Sequence, residues 1–225
     1  MAKTALVAGA SGLVGSFCVQ ILEQDPDYEN IIVPTRRPLG LSGKATEVNL
    51  NFDNLHEYEQ QLKADDYFCC LGTTIAKAGS KANFRKVDYE YVVKFGEIAQ
   101  KVAANSFSMV SAIGADANSM VFYSKTKGKA EKALQEIGLS KLLIFQPSII
   151  DGNRNEYRRG EHLWLKFMHF LGKLAPQNYR PIHAAQIAQA MVSKTKHSKE
   201  KFEIVGNAAM LQMTPKSAIQ HLLEE

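Results

Sequence analysis

Cysteine is scarce in this sequence: Cys18, Cys69 and Cys70 are the three in 225 residues. Two of them are neighbours, which is no metal-ligand spacing, and an odd count offers no disulfide framework. A small disulfide-stapled scaffold and a cysteine-held metal module are both excluded, and the usage fits a reducing compartment. His162, His169 and His183 stand at no ligand spacing with acids or cysteines, so no metal is expected. Long apolar runs are missing too, since no segment approaches the roughly 18 consecutive residues of a spanning helix. The Met-Ala-Lys-Thr start leads into no apolar stretch with a cleavage-like site. Nor is there a dense basic run: 27 Lys and Arg against 23 Asp and Glu leave a net charge of +4, spread thinly. That is not the footprint of a nucleic-acid binder. These absences lead to the expectation of a cytoplasmic protein that engages neither nucleic acid nor membrane.

What is present is an ordinary globular composition, 45% hydrophobic and 22% charged, which excludes disorder. Short continuous apolar runs alternate with helix-period stripes. Ala5 to Ala8, Ile31 to Val33, Thr46 to Leu50, Tyr67 to Leu71, Phe107 to Val110 and Leu142 to Phe145 read as six strands. Runs apolar on consecutive residues suit strands buried on both faces. Between them, Val14 to Leu22, Phe84 to Val102 and Ala130 to Ile137 carry apolar residues at helical spacing, the last stopping near Gly138. Strand and helix in alternation give an α/β fold, a doubly wound parallel sheet of the Rossmann type. After Pro147 the pattern loosens. A helix is expected from Glu161 to about Leu171, another at Ala184 to Val192, a short strand at Phe202 to Val205 and a last helix opened by Thr214-Pro215. The whole chain, 1–225, reads as one domain with a small C-terminal cap on the sheet edge, residues 148–183 forming its substrate side.

The first strand runs into Gly9-Ala10-Ser11-Gly12-Leu13-Val14-Gly15 and then a helix. In that context the glycine spacing has a use: Gly9 for a tight turn, Gly12 for approach of a pyrophosphate, Gly15 for close helix packing. The helix N-terminus presents free N–H groups to the anion, and Ser11 adds a hydroxyl. At the end of the second strand, where an acid would hold the ribose 2′-hydroxyl of NADH, stand Thr35-Arg36-Arg37-Pro38. Arg36 and Arg37 suit a 2′-phosphate, so NADPH is expected over NADH.

Tyr123-x-x-x-Lys127 puts an ammonium one helical turn from a phenol. A charge so placed readies Tyr123 to give or take a proton while hydride moves. Ser111, closing the fifth strand, supplies a hydroxyl for the substrate oxygen. These three are the candidate catalytic residues, and Lys127 also suits the nicotinamide ribose.

With the glycine loop and Tyr-x-x-x-Lys together, the chain resembles the short-chain dehydrogenase/reductase superfamily in its atypical NAD(P)-binding branch. Phe68-Cys69-Cys70-Leu71-Gly72-Thr73-Thr74, Lys77-Ala78-Gly79, Val87-Asp88-Tyr89, Gly114-Ala115-Asp116 and Arg158-x-Gly160-Glu161 sharpen it toward the Tat-interacting oxidoreductase-like family and its bacterial relatives. The resemblance implies a Rossmann fold with NADPH, Leu71, Gly72, Thr73 and Thr74 lying along the cofactor. It also implies Asn51 and Phe52 beside the adenine and Pro147 beside the nicotinamide.

The remaining features read plainly. Cys69 and Cys70 are packing residues, because neighbours in a strand face opposite ways. Arg154, Arg158, Arg159 and Glu161 form a loop that meets either solvent, an anionic substrate or the pyrophosphate. Trp164, Phe167, Met168 and Leu171 make an apolar helical stripe. The reading is an NADPH-dependent oxidoreductase acting on a carbonyl or alcohol of a small molecule. Two alternatives stay open: an NADPH-sensing regulatory or assembly protein without turnover, and a nucleotide-sugar epimerase or dehydratase. A protein partner and a homodimer are both compatible with the sequence.

Overall fold

β1 (Lys3–Ala8) shows why the sheet forms: its consecutive apolar residues serve two cores at once. Ala5 and Val7 point to one face while Leu6 and Ala8 point to the other, and all four are buried. The computed structural model describes residues 2–151 and 176–222. The expected helix at 161–171, its apolar stripe and the loop bearing Arg154, Arg158, Arg159 and Glu161 lie outside these.

β1 leads through the glycine loop to α1 (Leu13–Gln24) and β2 (Tyr28–Thr35). β3 (Ala45–Asn49), a 3-10 segment at Phe52–Tyr58 and β4 (Asp66–Cys69) follow. After β4 come two short helices, α2 (Ile75–Ala78) and α3 (Lys81–Arg85). The latter passes through a π turn, Lys86–Glu90, into α4 (Tyr91–Lys101). β5 (Ser106–Val110), α5 (Phe122–Ile137) and β6 (Leu142–Gln146) complete the expected alternation. α5 stops at Gly138, whose φ of 81° is left-handed.

Seven parallel strands form one sheet in the order β3-β2-β1-β4-β5-β6-β9, the last being Phe202–Gly206. The order turns back at β1 and β4, and ligands of such sheets sit at the carboxyl ends beside that reversal. α1 and α6 (Ala184–His197) cover one face, α4 and α5 the other. β6 shows the same division as β1: Leu143 and Phe145 go to the first core, Leu142 and Ile144 to the second. Each buried side chain of that size contributes about 1.5–3 kcal/mol by leaving water.

The structure corrects several details of the sequence reading. The third and fourth strands start one residue earlier and end one or two sooner. The stripe from Phe84 to Val102 is not one helix, since the π turn interrupts it. Phe202–Gly206, read as part of a cap, is β9 and pairs with β6 along its whole length. An unanticipated helix, α7 (Asn207–Met213), follows it, and the stretch after Thr214-Pro215 is 3-10, Lys216–Leu222, not α. The expected cap is bounded by a two-stranded parallel pair, β7 (Ile150–Asp151) with β8 (Ile182–His183). His183 then caps α6 in a reciprocal box with Gln186.

Candidate functional site

At the carboxyl ends of β1, β4, β5 and β6 lies a cleft of about 490 Å³. The glycine loop forms one wall through Gly12, Leu13 and Val14, and Leu71, Gly72, Thr73 and Thr74 after β4 form the floor. Ser111, Tyr123, Lys127 and Pro147 bring the other half of the chain to the same space. Residues named separately from the sequence thus line one cleft together.

The loop turns at Gly9, with φ of 88°, and closes by a Gly12 N–H bond to the Gly9 carbonyl at 2.9 Å. A Cβ at Gly15 would stand 2.2 Å from that carbonyl oxygen, so the helix can lie this close only with hydrogen there. Gly12 caps α1 without any side-chain hydrogen bond, and the first turn holds no acid. Ser11 is exposed and does not cap. The backbone N–H groups of that turn and the positive end of the helix are thus left for an anion. Gly72 adds an open stretch of floor, a Cβ there reaching to 3.6 Å from Asp88 Oδ1. These features fit a pyrophosphate-bridged dinucleotide.

On α5, Tyr123, Lys127 and Glu131 follow one another at single-turn spacing on the face toward the cleft and sheet. Tyr123 is 38% exposed and its ring packs on Phe84, centroids 5.6 Å apart. Lys127 is buried, with Nζ 2.8 Å from Asp88 Oδ1 and 3.4 Å from the Val110 carbonyl. Oδ1 makes no well-angled hydrogen bond, so its link to Lys127 is electrostatic, whereas Oδ2 accepts the Thr73 N–H at 2.9 Å. Burial alone would push the Lys127 ammonium down. The Asp88 carboxylate and the neighbouring Tyr123 more than offset that and hold it above the ordinary lysine range. The charge beside Tyr123 is therefore kept. Close packing of this helix depends on Gly128, where a Cβ would meet the Asp116 and Ala117 backbone at 2.2 and 2.3 Å.

Ser111 follows β5 and is pinned by its N–H to the Phe145 carbonyl at 2.7 Å. Its hydroxyl donates to Glu131 Oε1, and Gln146 Nε2 donates to both Glu131 oxygens at 3.0 and 3.1 Å. This differs from the sequence expectation. A serine hydroxyl has one hydrogen, and here it goes to a buried carboxylate, so lone pairs are what remain for the cleft.

Asp88 and Glu131 were missed as site residues. Both carried a signal: each is an acid on the buried stripe of its helix, Asp88 four residues after Phe84 and Glu131 between Ala130 and Leu134. A charge on such a face needs a partner.

The remaining candidates lie apart from the cleft. Arg36 and Arg37 leave the end of β2 exposed, and the Arg36 guanidinium sits 6.0 Å from the Phe52 ring. Phe52 itself is buried against Tyr91 and Phe95, and the Asn51 side chain accepts the Asp53 N–H at 3.0 Å. Their side chains are committed to the fold, with Arg36 laid over one edge. Cys69 and Cys70 face opposite cores: Cys69 is buried under α4, and Cys70 Sγ lies 3.8 Å from Cys18 Sγ. Burial pushes the Cys69 thiol up to about 12, and contact with Cys18 together with burial pushes Cys70 up as well.

No family model matches the chain. The HTATIP2 protein of Rattus norvegicus is 30% identical over 217 residues, spanning 94% of this chain and 89% of the rat protein. The chain belongs to the HTATIP2 family. The FMP52 protein of Candida albicans is 29% identical over 220 residues, covering 92% of this chain and 96% of its own. Among solved structures, MoeE5 in complex with UDP-glucose and NAD superposes with a TM-score of 0.69 at 14% identity, over 95% of this chain and 81% of that one. The ADP-L-glycero-D-manno-heptose-6-epimerase of Helicobacter pylori gives 0.67 at 17%, over 98% and 83%. At such identities the likeness is one of fold alone, a Rossmann-type α/β fold.

The expected cytoplasmic location does not stand, because FMP52 relatives from several yeasts carry mitochondrial names. Cysteine usage reports redox conditions and the missing apolar run reports the lack of a spanning helix. Neither identifies a compartment.

Proposed function

We propose that this protein is an NADPH-dependent oxidoreductase that reduces a carbonyl of a small molecule or oxidises the matching alcohol. The observation that carries the reading is the meeting of Tyr123 and Lys127 with Gly12 and Gly72 across one cleft. The glycine loop and the first turn of α1 would hold the pyrophosphate, the Leu71 to Thr74 floor and Pro147 the rest of the cofactor. A bound nicotinamide supplies or accepts hydride at its C4. Tyr123 gives the substrate oxygen its proton during reduction and takes it back during oxidation. Lys127 keeps a fixed positive charge beside that phenol because Asp88 neutralises its burial. Ser111, its hydrogen taken by Glu131, keeps lone pairs that can accept the hydroxyl hydrogen of an alcohol substrate.

Support for NADPH comes from β2, which ends in two exposed guanidinium groups and no acid. Two forks suit the 2′-phosphate better than a bare 2′-hydroxyl.

The test is Tyr123→Phe with a panel of aldehydes and ketones, following NADPH absorbance. Consumption falls roughly 10²-fold or more, the usual share of a general acid, while NADPH affinity stays within a few-fold. If the wild-type protein consumes no NADPH across the panel, the reading is overturned.

A further inference from the structure

The oxidoreductase reading leaves a buried acid behind its serine without a task. Glu131 is 6% exposed, and of its two oxygens Oε1 takes the Ser111 hydroxyl and the Gln146 amide, while Oε2 takes the amide alone. Pure packing would be served better by an uncharged residue, because burying a carboxylate is costly. The chemistry of the pair points to a function instead. An ionised carboxylate only accepts hydrogen bonds, so it claims the Ser111 hydrogen and leaves serine lone pairs facing the cleft. A protonated carboxyl is itself a donor. It can give its hydrogen to Ser111 Oγ and free the serine O–H to point outward. An alcohol substrate brings a hydroxyl hydrogen and needs an acceptor, whereas a carbonyl substrate brings lone pairs and needs a donor.

We propose that Glu131 is a positioning residue that sets whether Ser111 offers the cleft an acceptor or a donor, and so matches the site to the alcohol or to the carbonyl. The inference rests on the oxidoreductase reading of this cleft and deepens it. No covalent step is added, and the hydride and the phenol proton move as before. What changes is one proton on Glu131, taken from water at lower pH, where the site suits reduction, and returned to water at higher pH, where it suits oxidation.

The surroundings permit both states. The charged group facing Glu131 from its own helix is Lys127, with Asp88 of the π turn behind the ammonium. From β6 and from the residue after β5 it meets Gln146 and Ser111, which are uncharged. Burial pushes the Glu131 carboxyl above the ordinary range, while the Ser111 and Gln146 hydrogen bonds and the Lys127 charge pull the other way. Burial is the largest of these effects, so the carboxyl takes up a proton more readily than an ordinary glutamate.

Two measurements on the NADPH-loaded protein test this. Infrared difference spectra of wild type against Glu131→Gln isolate the Glu131 carboxyl, which titrates at a pH above ordinary glutamate. In Ser111→Ala its midpoint rises further, because a donor to the carboxylate is gone. A band that does not move in Ser111→Ala overturns the proposal, whether or not any substrate is turned over. The second measurement uses 9,10-phenanthrenequinone with NADPH for reduction and cyclohexanol with NADP⁺ for oxidation. Glutamine at 131 mimics the protonated acid, accepting from Gln146 while donating to Ser111. In Glu131→Gln the ratio of oxidation to reduction falls about tenfold, the worth of one hydrogen bond near a charge, and the pH dependence of that ratio flattens. Equal losses in both directions, or none, mark Glu131 as structural and overturn the proposal. Absence of turnover in wild type counts against the oxidoreductase reading, and the infrared result then decides the coupling by itself.

Discussion

Lys127 and Asp88 stand 2.8 Å apart with neither side chain open to solvent, so a residue of the π turn holds the ammonium of one on α5 beneath the cleft. Breaking a buried pair costs more than never having built it, since the survivor is left uncompensated. Asp88→Ala is expected to lose about 3–5 kcal/mol in urea unfolding at neutral pH. The pH dependence follows from Lys127, whose folded value is raised. Its contribution is complete below the ordinary lysine range near 10.4 and is lost as pH rises through the folded value. The wild-type stability owed to this pair should therefore hold level from pH 7 to 9 and fall only in stronger alkali.

Gly15→Ala and Gly128→Ala separate two uses of a missing side chain. At Gly15 the new methyl meets the Gly9 carbonyl, and the loop that would cradle phosphate must open. Isothermal titration should show nucleotide affinity falling by at least tenfold. At Gly128 the methyl meets the Asp116–Ala117 backbone, away from that loop. Stability falls there by an overpacking cost of about 1–3 kcal/mol, visible in thermal melts. If Gly15→Ala binds nucleotide as tightly as wild type, the loop does not hold it.

Arg37→Glu addresses cofactor choice. A carboxylate beside the adenine ribose repels a 2′-phosphate and welcomes a 2′-hydroxyl. NADPH affinity should drop roughly tenfold or more, one charge-assisted hydrogen bond, with NADH affinity level or improved. Equal weakening of both removes the basis for NADPH preference.

The thiols should be inert in the folded protein. Iodoacetamide at pH 8 should leave Cys69 unmodified for hours, as expected of a thiol pushed up to about 12. Modification in urea should be complete. Rapid labelling of the native chain at Cys69, read by peptide mass, would show that the core under α4 opens.

Much of this architecture was legible because strands buried on both faces read as continuous apolar runs, and the glycine loop stood in the one context that gives it meaning. Other parts were not. The stripe from Phe84 to Val102 keeps helical spacing through the π turn, so periodicity alone could not reveal where Asp88 swings under Lys127. Half-exposed Phe202–Gly206 looked like a marginal strand, because pairing with β6 is set by distant packing and not by its own pattern. Asp88 and Glu131 were visible in principle, as acids on faces that should be apolar. Ser111 stands out in the sequence at the end of a strand, but the direction of its hydrogen depends on a neighbour twenty residues away.

β9 also has a bearing on how the protein is made. The border of β6 that it covers, Leu142 to Gln146, stays bare until residues 202–206 have left the ribosome. A nascent chain paused before that point displays an unpaired apolar rim, the sort of surface on which growing polypeptides stick to one another. Synthesis of residues 202–206 covers that rim and moves the open border of the sheet outward to β9.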